Sequence, residues 1–378
     1  MHIVLAIDSL GSGGAQRQVV ELAARFRERP GVRCSVLVYH ADDFHAARLR
    51  QCGVELVRIP KRLRIDPLLP RRMARWLAEA GADVVHAFLL GPSLWSLLAV
   101  RRMPPGCRPA LLAAERNCLI ATSPLLGALQ RFVYRRSDAV TANAECAARD
   151  IAAKLGVPAQ RVHYLPNGID LQRWDAEARG ESPIDLAPGC FHLALVGGLR
   201  PQKAHGVLLD ALVRLGRERI GGWRIWCVGG RTAGEKAAAS VEGRIREAGL
   251  GSVVRLVPPV RNVAALMARL DALVLPSLFE GFPNVALEAM ASRLPVIATP
   301  VGDVPNLVAP GRTGLLVPPG DAAALAQALD ALAGLPRDER RRMGERGRAV
   351  VEARFRIEHV AQRHLALYEA VAGRESGT

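Results

Sequence analysis

The first half of the chain alternates short apolar runs with longer amphipathic stretches. The opening run HIVLAI is followed by a glycine-rich turn and an amphipathic stretch over 15–29, which predicts a strand, a loop and a helix. The order repeats, with helical segments near 43–52 and 67–80 after the next two runs. Six apolar runs follow the first: CSVLVYH, VELVRI, DVVHAF, ALLAA, DAVTA and RVHYLP. Each of these runs except the last is followed by a helical segment. Short apolar strands that alternate with helices predict a parallel sheet covered on both faces.

The same rhythm returns after a break. Residues 175–189 combine Gly, Pro, Ser and mixed charge, which is typical of a linker. A second series of apolar runs follows, again separated by helical stretches: FHLALVGG, RIWCVGG, VVRLVPP, DALVLPS, LPVIATP and TGLLVPP. The last segment, 336–373, has helical periodicity, high charge and no strand to pair with, so we expect it to pack across one or both domains.

A chain of 378 residues is too long for one ordinary hydrophobic core. We therefore predict an α/β chain with two Rossmann-like, doubly wound domains. The predicted boundaries are 1–175 for the N-terminal domain, 176–189 for the linker, 190–350 for the C-terminal domain and 351–378 for a terminal helix that crosses back toward the N-terminal domain.

The net charge of +15 suggests an anionic partner. Residues 1–180 hold 26 Lys or Arg against 16 Asp or Glu, so most of the excess lies in the first half. Aromatic residues make up only 4% and no helix-turn-helix, zinc-finger or RNA-binding signature occurs, which argues against nucleic acid. The basic clusters are interpreted either as solvated helix faces or as a docking face for anionic lipid headgroups. They lie at 58–64, 71–75, 101–108 and 131–136.

The sequence favours a cytoplasmic protein. The seven cysteines are scattered and form no C-x-x-C pair, so their spacing predicts neither a zinc site nor a disulfide scaffold. The N-terminal apolar run is too short for a signal peptide, and no apolar stretch reaches the length of a membrane-spanning helix. Membrane association is therefore expected to be peripheral, at the inner face of the cytoplasmic membrane.

Three turns after predicted strands carry candidate chemistry. The backbone of the turn Gly11–Gly14 could come close to a ligand. The turn does not match the dinucleotide-binding pattern G-x-G-x-x-G, which argues against a dinucleotide-dependent oxidoreductase. The turn after FHLALV places Arg200 and Lys203 beside a helix start, which suits a diphosphate. In the third turn, Glu280 and Glu288 are embedded among apolar residues and could accept hydrogen bonds from vicinal sugar hydroxyls.

The segment from Glu280 to Glu288 resembles the E-x7-E signature of the retaining, family 4 glycosyltransferases of GT-B fold, also described as the glycosyl transferases group 1 type. Other segments resemble the same family in the same order: GGAQRQVVELA, GGLRPQKAHGVLLDAL, PNGID, MASRLPVIATPVGDVPNLV and GRTGLLVPPGD. The resemblance covers essentially the whole chain. It implies two domains facing a central cleft, with the acceptor on the N-terminal side and the nucleotide-sugar donor on the C-terminal side.

The resemblance also implies roles for particular residues. Glu288 would bind the ribose hydroxyls, and Arg200 with Lys203 the diphosphate. Glu280 would hold the donor sugar, and His86 would approach the reaction centre. Backbone contacts to the donor are expected from Gly13 and Gly14 in the opening loop, Val260 near the base, and Gly281, Phe282, Pro283 and Asn284. The catalytic set implied in this way is Arg200, Lys203, His86 and Glu280.

The implied reaction is hexosyl transfer with retention, from a UDP- or GDP-sugar to a lipid-linked or polysaccharide acceptor of the cell envelope. The resemblance implies no metal or other cofactor. Two departures, Gln16 and Asn306, stand where Glu is common in the family, and the triplet Glu115–Asn117 resembles a subset of members acting on such acceptors. Two alternatives remain at this point: a GT-B-like sugar-nucleotide epimerase, and a non-catalytic nucleotide-sugar-binding protein.

Overall fold

The computed structural model of the chain describes residues 1–117, 123–230 and 235–373, with 235–237 described by their backbone alone. These residues form two compact units. The chain crosses from unit 1 to unit 2 between Gly168 and Ile169 and returns between Arg356 and Ile357. Unit 1 therefore contains Met1–Gly168 together with the residues from Ile357 onward, and unit 2 contains Ile169–Arg356.

Unit 1 is built on a seven-stranded parallel sheet. Its strands are β1 (His2–Ala6), β2 (Arg33–Val38), β3 (Glu55–Arg58), β4 (Val84–Phe88), β5 (Ala110–Glu115), β6 (Ala139–Ala142) and β7 (Val162–Tyr164). They are ordered β3-β2-β1-β4-β5-β6-β7, so the sheet grows outward from β1 in both directions. This order is doubly wound, as the sequence pattern predicted.

Helices cover both faces of this sheet. They are α1 (Gly14–Arg27), α2 (Ala46–Gln51), α3 (Leu69–Ala80), α4 (Leu90–Val100), α5 (Pro124–Tyr134) and α6 (Glu145–Leu155), with the 3₁₀ helices η1 (Pro105–Cys107) and η2 (Ala159–Arg161). In β1, Ile3 and Leu5 pack into one core layer, whereas Val4 and Ala6 pack into the other. Because both faces are buried, the strand reads as a continuous apolar run.

Unit 2 repeats this plan with a six-stranded parallel sheet. Its strands are β8 (Phe191–Val196), β9 (Trp223–Val228), β10 (Val254–Val257), β11 (Ala272–Leu275), β12 (Val296–Ala298) and β13 (Gly314–Leu316), in the order β10-β9-β8-β11-β12-β13. Its helices are α7 (Leu171–Ala178), α8 (His205–Leu215), α9 (Arg217–Ile220), α10 (Glu235–Glu247), α11 (Val263–Met267), α12 (Asn284–Ala291), α13 (Val304–Leu307), α14 (Ala322–Gly334) and α15 (Arg337–Arg354), with the 3₁₀ helix η3 (Pro201–Lys203).

The boundary between the units lies earlier than the predicted linker 176–189. Helix α7 already belongs to unit 2, and Trp174 donates to the Ser292 hydroxyl at 2.8 Å. The segment that follows is also held in this unit, because Asn262 donates to the Glu177 carbonyl at 2.9 Å and Arg269 donates to the Gly180 carbonyl at 2.9 Å. The Gly- and Pro-containing stretch is thus attached to unit 2 over its first part.

The predicted C-terminal helical segment is divided. Helix α15 lies in unit 2, where the buried Arg348 forms two hydrogen bonds to the Asp175 carboxylate at 2.7 and 2.8 Å. Helix α16 (Ile357–Ala372) lies in unit 1, where Tyr368 is fully buried against Phe26. The return to unit 1 comes at Ile357, later than the predicted boundary at residue 351.

The cysteines are mostly free thiols, namely Cys34, Cys52, Cys107, Cys190 and Cys227. Cys146 is disulfide-bonded, which the scattered cysteine spacing did not predict. Cys118 lies outside the described residues.

Candidate functional site

The candidate donor site lies on the loops of unit 2 that follow β8 and β11. These strands are neighbours in a parallel sheet, so both loops leave from the same carboxyl edge. The loop after β8 carries Lys203, and the loop after β11 carries Glu280. The fold therefore brings together two side chains that are 77 residues apart in the sequence.

Lys203 and Glu280 form an ion pair. The Lys203 Nζ lies 2.6 Å from the Glu280 Oε1, and the two side chains are only 17% and 9% exposed. The Ser277 hydroxyl donates to the same carboxylate oxygen at 2.7 Å, and Gln202 donates to the Phe279 carbonyl at 2.8 Å. Because the pair is largely desolvated, removing one partner would leave a charge without compensation. The carboxylate of Glu280 is thus fixed in place by its neighbours.

A short turn sets the position of Lys203. Arg200 is exposed and immediately precedes η3, which Lys203 ends. Ala204 adopts a left-handed conformation with φ of 49°, which redirects the chain into α8 at His205. Burial, and then the charge of Lys203, lower the pKa of His205 to about 4. His205 is therefore neutral at neutral pH, and the positive charge of the turn resides on Arg200 and Lys203.

Glycines allow the loops of this site to approach one another closely. A Cβ on Gly229, after β9, would lie 2.1 Å from the Gly197 carbonyl oxygen, after β8. A Cβ on Gly302, after β12, would lie 2.3 Å from the Gly281 carbonyl oxygen, and Gly302 has a φ of 60°. A side chain at either position would separate neighbouring loops, so these glycines shape the surface on which Lys203 and Glu280 lie.

The second carboxylate of the pattern lies on α12. This helix begins at Asn284 with Pro283 as its N-cap, and Glu288 follows about one turn later with 8% of its surface exposed. Phe282 is buried, and its ring packs against Phe355 at 5.7 Å between centroids. The side chain of Phe282 is therefore part of the core, and only its backbone is available for the predicted donor contact.

Val260 lies in the loop after β10, the edge strand of the same sheet. Its side chain is partly buried and packs against the core of unit 2. This placement leaves the backbone, and not the side chain, as the group for the predicted contact to the base.

Two predicted donor residues, Gly13 and Gly14, lie in unit 1 at the start of α1. Gly13 is the N-cap, and its backbone is extended with φ of −75° and ψ of 159°. The Gln16 side chain occupies the space beside it, since a Cβ on Gly13 would lie 2.2 Å from the Gln16 Oε1. Gln16 also donates to the Asp8 carboxylate at 3.1 Å. The residue that departs from the family pattern thus helps to hold the glycine turn.

The structure places His86 differently from the prediction. His86 has no exposed surface, and its Nδ1 and Nε2 lie 2.6 Å from the Tyr368 hydroxyl and 2.9 Å from the Thr141 hydroxyl. Burial, followed by the nearby His364 and Arg116, holds the pKa of His86 well below its usual value. Both ring nitrogens are occupied within unit 1, so His86 is a core residue here and has no nitrogen left for a substrate.

The triplet Glu115–Asn117 begins at the last residue of β5, in unit 1. The buried Glu115 carboxylate accepts from the Tyr134 hydroxyl at 2.8 Å and from the Gln130 amide at 3.1 Å. The buried Arg116 donates to the Asn167 side chain, and its guanidinium lies over a ring in the core. Burial raises the pKa of Glu115 and lowers the pKa of Arg116 to about 10. The polar groups of this triplet are committed mainly to the interior of unit 1.

Family comparisons agree with this arrangement along most of the chain. The model of Glycosyltransferase Family 4 matches residues 12–173, within unit 1. The model of Glycosyl transferases group 1 matches residues 190–334, the part of unit 2 that contains Lys203, Glu280 and Glu288. The chain belongs to the family 4 glycosyltransferases.

Two curated relatives of this family 4 glycosyltransferase share one name. The chain is 34% identical over 304 residues to the D-inositol 3-phosphate glycosyltransferase of Nocardia farcinica, covering 76% of this chain and 66% of the relative. It is 30% identical over 309 residues to the enzyme of the same name from Mycobacterium tuberculosis, covering 77% and 62%. The chain thus spans slightly less than two thirds of the length of these relatives.

Solved structures show the same fold along the whole chain. A glycosyltransferase from Rickettsia africae superimposes with a TM-score of 0.85 at 17% identity, covering 99% of both chains. Anabaena Alr3699/HepE in complex with UDP and glucose gives a TM-score of 0.84 at 20% identity, covering 98% of this chain and 100% of that one. These similarities confirm the GT-B class predicted from the sequence. In the described part of this family 4 glycosyltransferase, no helix is both long and apolar enough to cross a membrane.

Sequence reasoning missed several residues of the candidate donor site. Ser277 and Gln202 hold the carboxylate loop, and Gly229 and Gly302 let the loops meet. The sequence pattern could have indicated the two glycines, because each follows a buried strand directly or within a few residues. The role of Ser277 depends on the path of the loop after β11, so its identity alone gave no indication.

Proposed function

We propose that this chain is a retaining glycosyltransferase. It moves a hexose-type sugar from a nucleotide diphosphate sugar, with UDP or GDP as the nucleotide, to a lipid-linked or polysaccharide acceptor in cell-envelope glycan synthesis. The observation that carries the proposal is the buried ion pair between Lys203 and Glu280 on adjacent loops of the donor-side unit. One loop offers cations to a diphosphate, and the other offers a carboxylate to sugar hydroxyls.

The cations of the first loop suit the leaving diphosphate. A lysine ammonium has three N–H donors, and among the described residues Lys203 uses one of them on Glu280. Two donors are left for phosphate oxygens, and the exposed Arg200 adds a second cation in the same turn. Charge-assisted hydrogen bonds of this kind are stronger than neutral ones. We assign the diphosphate to Arg200 and Lys203.

The carboxylates suit hydroxyl groups. The Glu280 Oε1 is held by Lys203 and Ser277, whereas among the described residues its Oε2 has only a long 3.4 Å contact with Gln202 and can accept from a sugar hydroxyl. We assign Glu288, about one turn into α12, to the ribose. Gly13, Gly14, Val260 and the backbone of Gly281–Asn284 complete the donor contacts in this proposal.

Transfer in this site breaks the bond between the anomeric carbon and the diphosphate oxygen. The acceptor oxygen bonds to the same face of that carbon, and the leaving phosphate takes the acceptor proton. Glu280 is held as a hydroxyl acceptor and is not assigned as a covalent nucleophile. Stabilising the negative charge that develops on the diphosphate is then the main catalytic effect, and Arg200 and Lys203 supply it. Because these cations serve the diphosphate, we expect transfer to continue in excess chelator.

Two acceptor classes follow from different observations. The basic character of residues 1–180 favours a lipid-linked acceptor and peripheral contact with the inner face of the cytoplasmic membrane. The curated relatives are named for D-inositol 3-phosphate, a phosphorylated polyol, which favours a small anionic acceptor. We favour the lipid-linked class and include the other in the test.

The test is an assay with labelled UDP- and GDP-hexoses, with either a membrane lipid extract or D-inositol 3-phosphate as the acceptor. We expect release of nucleotide diphosphate that depends on the acceptor, and a product with the anomeric configuration of the donor by NMR. Interconversion of the donor without release of nucleotide diphosphate would favour the epimerase hypothesis. Binding of the donor without turnover would favour a non-catalytic protein.

Lys203→Ala provides the matched variant. We expect kcat to fall by about 10²–10³-fold, the size of effect seen when one preorganised charge-stabilising group is removed. Lys154→Ala, which removes a mostly exposed lysine of unit 1, should leave turnover unchanged. Because Lys203→Ala also leaves Glu280 unpaired, its thermal unfolding is compared with that of the double variant Lys203→Ala/Glu280→Gln. A Lys203→Ala protein with wild-type kcat would exclude the proposed role of this residue.

A further inference from the structure

One loop of unit 1 carries a cluster of exposed apolar side chains. Residues 60–68, which we call the docking loop, connect β3 to α3 at the edge of the sheet. Ten large apolar side chains are exposed in the described residues, and three of them lie in this loop: Leu63 at 63%, Ile65 at 76% and Leu68 at 55%. Phe44, in the loop after the neighbouring strand β2, is 61% exposed. Such a concentration of exposed apolar surface is unusual unless the surface has a partner.

The same loop is surrounded by cations. Residues 60–75 contain six Lys or Arg and only one acidic residue, Asp66. Arg62 and Arg64 are exposed within the docking loop, and Arg71 and Arg75 are exposed one turn apart on α3. No carboxylate of the described residues forms an ion pair with any of these four arginines. Their charge is therefore available to an anionic surface.

Asp66 fixes the shape of the docking loop. Its buried carboxylate accepts from the backbone N–H groups of Arg62 at 2.9 Å and Leu68 at 3.1 Å, and from the Arg72 guanidinium at 2.7 Å. These hydrogen bonds, that of Arg62 most of all, lower the pKa of Asp66 to about 2. Arg72 also donates to the Pro60 carbonyl at 2.9 Å, so both ends of the loop are held. The apolar side chains are thus presented by an ordered loop, which reduces the entropy lost on binding.

We propose that the docking loop inserts Leu63 and Ile65 into the interface of an anionic lipid bilayer, with Arg62, Arg64, Arg71 and Arg75 contacting the headgroups. Apolar side chains alternating with cations are the composition of segments that lie in a membrane interface. The inference rests on the proposed function and deepens it, because an enzyme that acts on a lipid-linked acceptor must reach the membrane surface. The docking itself needs neither donor nor acceptor.

A lipid surface fits this loop better than a nucleic acid does. Single-stranded nucleic acids are bound by a basic groove combined with aromatic side chains on which bases stack. The tip of the docking loop carries the aliphatic residues Leu63 and Ile65, which offer no stacking surface. Binding of aliphatic side chains is favourable mainly because it removes their surface from water. The acyl-chain boundary of a bilayer can bury this surface, whereas a phosphate backbone cannot.

The experiment measures co-sedimentation of the full chain with vesicles of phosphatidylcholine alone or with 30% phosphatidylglycerol added. We expect binding to the anionic vesicles that weakens with salt. Leu63→Ser/Ile65→Ser should reduce the partition coefficient by about tenfold or more, from the apolar area no longer buried. Arg62→Gln/Arg64→Gln should reduce it by about 25-fold, from about fivefold for each of the two cations. Two single controls replace exposed apolar residues elsewhere, Leu125→Ser in unit 1 and Val213→Ser in unit 2, and should bind like the wild type.

A positive signal for insertion comes from Leu63→Trp. Its fluorescence should shift to the blue on anionic vesicles and be quenched by brominated lipids, whereas that of Val213→Trp should not. Wild-type binding by Leu63→Ser/Ile65→Ser, or an equal loss in Leu125→Ser, would overturn the assignment to this loop. Binding of an oligonucleotide that equals vesicle binding and ignores the serine substitutions would assign the arginines to nucleic acid instead. Because vesicle binding is measured without donor or acceptor, its failure is distinct from a failure of glycosyl transfer.

Discussion

At the scale of single residues, two histidines of unit 1 are held neutral in the core. His86 contacts Tyr368 and Thr141 through its ring nitrogens, and its ring lies 5.8 Å from that of His364. Nδ1 of His364 lies 2.9 Å from the Val360 carbonyl, and the ring is buried. Burial lowers the pKa of His364 to about 4 and also holds that of His86 well below its usual range. In the unfolded chain both would titrate near their ordinary value of about 6.5.

This difference predicts a loss of stability in mild acid. The unfolded state binds protons first as the pH falls below about 6.5, so the stabilisation is fully present above that pH and is lost as the pH falls toward 4. For His364 the loss amounts to about 3 kcal/mol over this range. We expect His364→Leu to show a smaller decrease in the free energy of unfolding between pH 7.5 and pH 5 than the wild type, measured by urea titration at each pH.

His359→Leu is the control for this prediction, because it replaces an exposed histidine of the same helix. It should retain the wild-type dependence on pH. An unchanged slope in His364→Leu would mean that the acid sensitivity of unit 1 arises elsewhere.

The histidines also show where residue-level prediction ends. Lys203 and Glu280 could be predicted to share a site because both follow strands of one parallel sheet, and such strands end at a common edge. The environment of His86 depends on Tyr368, which is 282 residues away in the sequence. A histidine near a strand end has the same local pattern whether it faces a substrate or a distant core tyrosine.

At the scale of elements, the loops after β8 and β9 are in direct contact through their glycines. Gly197 donates its N–H to the Val228 carbonyl at 2.8 Å, and Leu199 donates to the Gly230 carbonyl at 3.0 Å. The strand pairing therefore continues into the turns, and the place of a Cβ on Gly229 is filled by the Gly197 carbonyl. The turn that carries Lys203 depends on this contact for its position.

We predict that Gly229→Ala impairs donor binding. The new methyl group would lie 2.1 Å from a backbone oxygen, so the two loops must separate, and overpacking of this kind costs about 1–3 kcal/mol. The dissociation constant for the nucleotide sugar, measured by calorimetry, should rise by about tenfold if the cost falls on the bound geometry. Gly222→Ala, where the added Cβ meets nothing within 4 Å, should bind like the wild type. Equal affinities in the two variants would show that the contact is unimportant for the donor.

Element prediction succeeded where the pattern was local. The periodicity predicted α1 over 15–29 and α3 over 67–80, close to the observed Gly14–Arg27 and Leu69–Ala80. It also predicted a continuous helical segment over 336–373, whereas the structure interrupts it between α15 and α16. There Ile169 donates to the Phe355 carbonyl at 2.9 Å and pairs with Arg356. The interruption is imposed by a strand-like contact with a distant segment, which helical periodicity cannot reveal.

At the scale of the whole molecule, unit 1 is assembled from two separated pieces of chain. Helix α16 adds six apolar residues to a core layer of unit 1, the small Ala361 and five larger ones: Ile357, Val360, Leu365, Tyr368 and Val371. On its surface, Arg25 of α1 forms an ion pair with Glu358 at 3.1 Å. Unit 2, by contrast, is one continuous segment with its own two core layers. Unit 1 is therefore incomplete until the end of the chain has been made.

This difference predicts opposite behaviour for two fragments. A fragment of residues 169–356 should unfold cooperatively, because its core is complete, whereas residues 1–168 should not. Exposing five large apolar side chains of unit 1 costs about 8–15 kcal/mol, comparable to the whole stability of a domain. A Cβ on Gly168 would lie 2.9 Å from the Ile357 Cα, so a short Gly-Ser linker can join residues 1–168 to 357–378 and should restore folding. The same fusion with Tyr368→Ser is the matched control and should melt at a lower temperature, as followed by circular dichroism. Cooperative unfolding of residues 1–168 alone would contradict the assignment of α16 to the core of unit 1.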